Sequence, residues 1–325
     1  MRPVRVGAAH GCNLSVLTPL EVARSGRTAR FHGSWYRGPS TNFIPSKADL
    51  AEAGAVFEYV LKGWVPDRPL MDKTTAITAF GSCFASHITR YLIARGYAVQ
   101  GQDLRLSSHL VRFGEGIVNS FAMLQQFEWA LEDKPVSSGL WYSEDKEIVE
   151  VQPEVQANTR SLIRNTEVFI ITLGLSEIWY DKLTGEAFWR AIPREFFDPD
   201  RHGFRVSTVS ENLDNLRRVC DLVEKHRPGA KVIFTLSPVP LMATFRPVSC
   251  ITASSVSKAI LRVAIDELMR EREGQGVFYF PSYEIVTDFC VDAFKDDNRH
   301  PKDEVVRFVM ATFEQHYCAR DSVTL

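Results

Sequence analysis

The stretch ITAFGSCFASH, residues 77–87, decides how the rest of the chain is read. An apolar run from Ile77 to Phe80 ends at Gly81, and Ser82 then stands where a helix can open. Residues 75–81 are therefore expected to form a strand. SHITRYLIARG, ending at Gly96 in the C-cap position, forms the helix behind it. The same alternation recurs downstream. YAVQG (97–101), EVFIITLG (167–174), KVIFTLS (231–237) and VFYFPS (277–282) read as strands, and the 167–174 run is apolar enough to be buried on both faces. SFAMLQQFEWALED (120–133), NLDNLRRVCDLVEKHRPG (212–229), SSVSKAILRVAIDELMRERE (254–273) and DEVVRFVMATFEQHY (303–317) read as helices. Strands that alternate with helices predict an α/β fold, a three-layer α/β/α sandwich around a mainly parallel sheet. Its ligands would collect at the C-terminal ends of the strands.

Residues 1–74 carry many turn formers and one helix-like stretch, residues 47–64, and read as an N-terminal extension packed on a main domain of residues 75–325. Residues 180–207 break the strand–helix rhythm with aromatic and charged side chains. A connection of that length is expected to be a cap-like insertion. Within it Trp189, Phe196, Phe197, Arg190, Arg194 and Arg201 are candidates for contacting a ligand, or the segment is a surface hairpin packed on the sheet edge.

With 325 residues and 45% apolar composition the chain can bury a sizeable core. Its 38 Lys and Arg against 40 Asp and Glu leave a formal charge of −2, so no positive field gathers nucleic acid. A small-molecule or glycan substrate is the expected partner, and nothing read here specifies an oligomeric state. No run approaches the ~18 apolar residues of a spanning helix, and the opening segment lacks the apolar core of a secretory signal. No membrane insertion and a cytoplasmic address are expected. Six cysteines without a C-x-x-C pair argue against a zinc ribbon, a thioredoxin-like site and a dense disulfide framework. Phosphate-loop, G-x-G-x-x-G and H-E-x-x-H patterns are all missing, so no cofactor and no metal are expected.

Chemistry is expected at the strand ends. A nucleophile at Gly81-Ser82-Cys83 would gain backbone N–H donors and the positive end of a helix dipole, which lowers a thiol's pKa. Equally, Ser82 can cap the helix while Cys83 packs beneath it. Asp297 lies three residues before His300, a spacing at which the carboxylate can orient the imidazole and leave its other nitrogen to take a proton. Gly174 permits close backbone approach, with Ser176 and Glu177 as a donor and a charge for the same crevice. RFGEGIVNS, residues 112–120, is a glycine-rich turn ending in Asn119 that could donate N–H groups or an amide to an oxyanion or merely start a helix, and the prolines of SPVPL build a wall.

FGSCFA (80–85), TLGLSEIW (172–179), SPVPL (237–241), PSYEIVTD (281–288) and DNRHP (297–301), in this order, resemble the GSCFA domain family, which is itself similar to the SGNH or GDSL-like hydrolases. The resemblance covers roughly residues 40–318. It implies an SGNH-hydrolase or flavodoxin-like α/β fold with a nucleophile after the first strand, oxyanion donors after later strands and an Asp-x-x-His pair near the end. Asp297 and His300 match that pair, and Gly81 matches the first glycine. Cys83 stands where the hydrolases carry their serine, whereas Ser82 matches by atom type, so either residue is a candidate nucleophile and register favours Cys83. Gly174-Leu175-Ser176-Glu177 has serine where the hydrolases have asparagine, with Asn119 as a substitute amide and Gly114 or Gly116 as the remaining glycine. The resemblance implies an esterase or O-acyltransferase acting on a sugar or polysaccharide precursor, with acyl-CoA as a candidate donor. The alternative is an inactive binding module for a glycan or a protein partner.

Overall fold

The computed structural model describes residues 20–24, 27–31, 42–101, 107–112, 116–143, 145–189 and 191–319. Of the positions singled out above, Gly114 and Arg190 lie outside the described residues, as does one of the six cysteines, Cys12. The chain divides into two compact units, Met1–Ser46 and Lys47–Leu325. In the first, β1 (Leu20–Arg24) and β2 (Arg27–Phe31) pair antiparallel, with Leu20 opposite Phe31.

The second unit begins with α1 (Lys47–Leu50), a π-helical turn over Phe57–Leu61, β3 (Ile77–Gly81), α2 (Cys83–Ala94) and α3 (His109–Arg112). There follow α4 (Ser120–Glu132), α5 (Pro153–Asn165), β4 (Val168–Leu173), β5 (Glu177–Asp181), β6 (His202–Val206) and α6 (Val209–His226). The chain continues through β7 (Lys231–Leu236), α7 (Cys250–Glu271), β8 (Val277–Phe280), α8 (Ser282–Glu284), a second π-helical turn over Ile285–Phe289, and α9 (Asp303–Tyr317).

Four of these strands form one parallel sheet in the order β3-β4-β7-β8. Side chains along a strand point alternately to opposite faces, and β4 shows the consequence. Phe169, Ile171 and Leu173 enter one core with Phe127 of α4, Leu216 of α6 and Leu261 of α7. Val168 and Ile170 enter the other, with Ile88 of α2 and Phe313 of α9. Each fully buried aliphatic or aromatic side chain contributes about 1.5–3 kcal/mol. Because the strands are only 4–6 residues long, these two layers rather than strand pairing hold the fold. The register sets Gly81 beside Thr172, Thr172 beside Thr235 and Thr235 beside Phe280, so all four strands finish along one edge.

The α/β sandwich with its parallel sheet is thus present, with three local corrections. The expected strand over 97–101 contributes a single bridge, Val99 to Ile77, because Gly96 and Gly101 on either side adopt φ +83° and +87° and turn the chain out of pairing geometry. The expected helix over 47–64 is interrupted at Gly54, φ +81°, leaving α1 and the π-helical turn. Within 180–207, β6 pairs with β5 as an antiparallel ribbon, Glu177 opposite Val206. Trp189 is not a surface contact but core, 1% exposed and packed edge-on to Trp141 at 5.4 Å. Phe196 and Phe197 remain exposed, and Arg201 pairs with Asp181 at 2.6 Å.

Candidate functional site

The edge where the strands end is assembled first by Gly81. Its φ of +131° suits glycine alone, and an added Cβ would lie 2.1 Å from the Thr172 carbonyl oxygen. That close approach lets the next residue, Ser82, donate its N–H to the same oxygen at 3.0 Å. Ser82 is the N-cap of α2: its Oγ accepts the Phe84 N–H at 3.2 Å, and the residue is buried. Cys83, the first residue of α2, is half-buried and therefore the more accessible of the two candidate nucleophiles. None of the five described cysteines is in a disulfide.

The other strand ends are more occupied than the sequence suggests. The Gly174 N–H donates to the Val118 carbonyl at 2.8 Å, and the Ser176 N–H donates to Ser257 Oγ at 2.8 Å. Glu177 accepts the Thr244 hydroxyl at 2.9 Å. Asn119 caps α4, its Oδ1 accepting the Ala122 N–H at 2.8 Å while its amide faces the Trp189 carbonyl at 3.5 Å. These groups tie the loops together around the sheet edge, which leaves their donors turned inward.

The loop before α9 holds the Asp–His pair. Asp297 Oδ1 accepts the N–H groups of Arg299 and His300 at 3.0 and 2.9 Å, and Oδ2 sits 2.5 Å from His300 Nδ1. These bonds, the backbone donation from His300 first among them, hold the Asp297 carboxyl well below the usual carboxylate range. On the far side of the imidazole, Nε2 lies 2.9 Å from Arg299 Nη1. A guanidinium is only a donor, so Nε2 accepts and Nδ1 carries the proton toward Asp297. That tautomer is the one a general base needs, with Arg299 seated on its lone pair.

Two further residues complete the site, and the motif reading passed over both. Lys258 projects from α7, is 3% exposed, and donates from Nζ to the Gly174 carbonyl at 2.7 Å. Gly174 in turn packs against Ser82, whose Cβ would lie 3.5 Å from a Cβ added there. Burial pushes the Lys258 ammonium down to about 7; Arg299 acts in the same direction, and an ionised Cys83 opposes it. The second residue is Arg299, whose Nε is buried with no hydrogen-bond partner. Both line a cavity of about 450 Å³ that runs between the Pro238–Met242 turn, the start of α7 and the Asp297–Arg299 loop. A signal for Lys258 exists in the sequence: Ser254, Lys258, Leu261, Ile265 and Leu268 fall on one stripe of the helix, and that stripe is the buried one.

A lysine with this environment makes a stability prediction. The unfolded chain titrates near 10.5, above the folded value of about 7, so between those limits the unfolded state binds more protons. The cost of burying the cation is complete below about pH 7 and fades as pH rises toward 10. Lys258→Met is therefore expected to be more stable than the parent at pH 6. Its advantage should shrink by up to about 1.4 kcal/mol per pH unit above 7. It should reverse at high pH, where loss of the bond to Gly174 costs about 1 kcal/mol. Urea unfolding at pH 6, 8 and 9.5 measures this, and a difference independent of pH would refute a titrating buried amine.

Among the described residues no His, Cys, Asp and Glu are grouped to hold a metal ion, and no helix is long and apolar enough to cross a membrane. Fold and site together define an α/β protein with a glycine-led strand–helix turn at the end of β3 and an Asp–His pair in the loop before α9. A family model described as the GSCFA family matches residues 76–313, and the chain belongs to that family. A search of curated proteins gives no match. Among solved structures, a carbohydrate esterase family 3 protein from Talaromyces cellulolyticus is similar at 11% identity and TM-score 0.36, covering 74% of this chain and 95% of that one. A Bacteroides fragilis NCTC 9343 protein described as an acylhydrolase is similar at 13% identity and TM-score 0.36, covering 77% and 89%.

Proposed function

We propose that the protein is an acyl-ester enzyme with Cys83 as nucleophile and His300 as base. The observation that carries this reading is the contact of Asp297 Oδ2 with His300 Nδ1 at 2.5 Å: a proton held there leaves Nε2 as the basic nitrogen. Sγ of Cys83 attacks the carbonyl carbon of an ester or thioester while the thiol proton passes to Nε2. Negative charge on the carbonyl oxygen develops at the N-terminal end of α2, where the dipole and the Cys83 backbone N–H favour it. The bond to the leaving group then breaks, His300 returns the proton to that alcohol or thiol, and an acyl-cysteine remains. Water or a second alcohol, its proton taken by His300, releases the acyl group. With water the reaction is ester hydrolysis; with a sugar hydroxyl and acyl-CoA as donor it is O-acyl transfer. Residues 180–207 would form the cap over the acceptor.

A second reading, a binding module without turnover, is favoured by two features: Arg299 occupies Nε2, and the N–H groups of Gly174 and Ser176 have internal acceptors. Intact-protein mass spectrometry after incubation with p-nitrophenyl acetate or acetyl-CoA separates the two. A gain of one acetyl group mapped to Cys83 is expected. No adduct with either donor, together with no release of p-nitrophenol, would leave the binding module standing.

A further inference from the structure

The cavity beside the dyad has a composition that the acyl-transfer chemistry leaves unexplained. Its volume, about 450 Å³, falls within the range of small-molecule sites. Part of its wall is apolar, with Pro238, Pro240 and Leu241 on one side. At its rim stand Met242 and Ile251, 80% and 74% exposed, which is unusual for large aliphatic side chains flanking a concave surface. Its polar lining is mostly neutral, Ser254, Ser255, Tyr283, Thr287 and Asn298 among it, and its charged groups are two cations and one carboxylate. Lys258 and Arg299 both line it, and its one carboxylate, Asp297, has both oxygens engaged by the loop that carries it.

Arg299 is the informative member. Nη1 is directed to His300, while Nε is buried and unpartnered. Nη2 shares the guanidinium edge with Nε, and Arg299 lines the cavity, so a small shift of the side chain that uncovers Nε would offer two parallel N–H donors to a ligand there. A carboxylate or phosphate matches that edge with two parallel hydrogen bonds, a geometry a neutral alcohol or a single carbonyl does not reproduce. Lys258, held at Gly174 through one of its three donors, lines the same cavity and can add a second positive group.

We propose that this cavity binds an amphiphilic anion, a compound with a carboxylate or phosphate head held by Arg299 and Lys258 and an apolar chain lying along Leu241, Met242 and Ile251. This goes beyond the acyl-transfer reading, and its test requires no turnover, so either can fail while the other stands.

Isothermal titration of the full chain with octanoate, octyl phosphate, 1-octanol and inorganic phosphate tests it. Octanoate or octyl phosphate is expected to bind at least about tenfold more tightly than octanol, because only the anions pair with the guanidinium edge. The order of those two identifies the head group, and inorganic phosphate, lacking the chain, should bind more weakly than octyl phosphate. Arg299→Met should erase the preference for anions over octanol while leaving octanol binding unchanged. Ile251→Asp should weaken all the octyl compounds. Unfolding midpoints of both variants verify that they fold. Lys258→Met supplies a second test at the head group, with anion affinity reduced and octanol affinity retained. Octanol binding as tightly as the anions, no binding of any octyl compound to the parent, or an anion preference that survives both Arg299→Met and Lys258→Met would overturn the proposal.

Discussion

Gly81→Ala is expected to destabilise the protein by about 3–5 kcal/mol, a large part of the 5–15 kcal/mol that typically separates folded from unfolded chains. Two costs combine. A side chain at φ +131° carries backbone strain of order 1–3 kcal/mol. Its Cβ would also sit 2.1 Å from the Thr172 oxygen and 2.8 Å from the Thr172 carbonyl carbon, backbone atoms of the central strand β4 that cannot yield cheaply. Opening that contact would also disturb the Ser82 N–H bond to Thr172 and, with it, the start of α2. Gly54→Ala is the control: it too has a left-handed φ, +81°, but nothing within 4 Å of an added Cβ. It should cost about 1 kcal/mol. Thermal unfolding of the two variants beside the parent decides the matter. Equal losses would mean that the crowding at Gly81 is relieved by local movement and does not lock the turn.

Cys83→Ala is expected to lower kcat for p-nitrophenyl acetate by about three orders of magnitude or more, as removal of a covalent nucleophile does. Asp297→Asn should cost nearly as much: the amide oxygen would stay with the Arg299 and His300 N–H groups, the NH2 group would donate to Nδ1, and the imidazole would present the wrong nitrogen. Ser82→Ala gives the contrast. With its hydroxyl capping α2, the substitution should cost about 1 kcal/mol of stability and leave turnover largely intact. Should Ser82→Ala abolish turnover while Cys83→Ala retains it, the serine is the nucleophile and the cap is its resting position. A parent protein with no turnover for the variants to lose would speak for the binding module.

Much of this architecture is written locally. The fully buried run at β4 and the run at β7 lie where their composition puts them, and α9 spans Asp303–Tyr317, the stretch its periodicity marks out. Helix starts are harder to place. α6 begins at Val209 rather than at Asn212 because Thr208 and Glu211 form a reciprocal capping box, a short-range signal that helical periodicity alone does not register. The edge segment at 97–101 has strand-forming residues, but its flanking glycines take left-handed backbone and leave one bridge. Asn119 shows the same limit from the side of function: an amide near a glycine-rich turn suits an oxyanion donor and a helix cap equally, and only the packed loop assigns it to the cap.

The sequence by itself determined the strand–glycine–helix turn at Gly81, the α/β order and the pairing of Asp297 with His300, because each depends on backbone preference or on side chains three residues apart. Tertiary structure alone decided that Ser82 turns inward while Cys83 stays half-open, that Lys258 is buried against Gly174, 84 residues earlier in the chain, and that Arg299 keeps an unpartnered Nε beside a cavity. The physical reason is desolvation. Whether a polar group meets water, a partner or neither depends on which distant segments close over it, and no local pattern of residues records that.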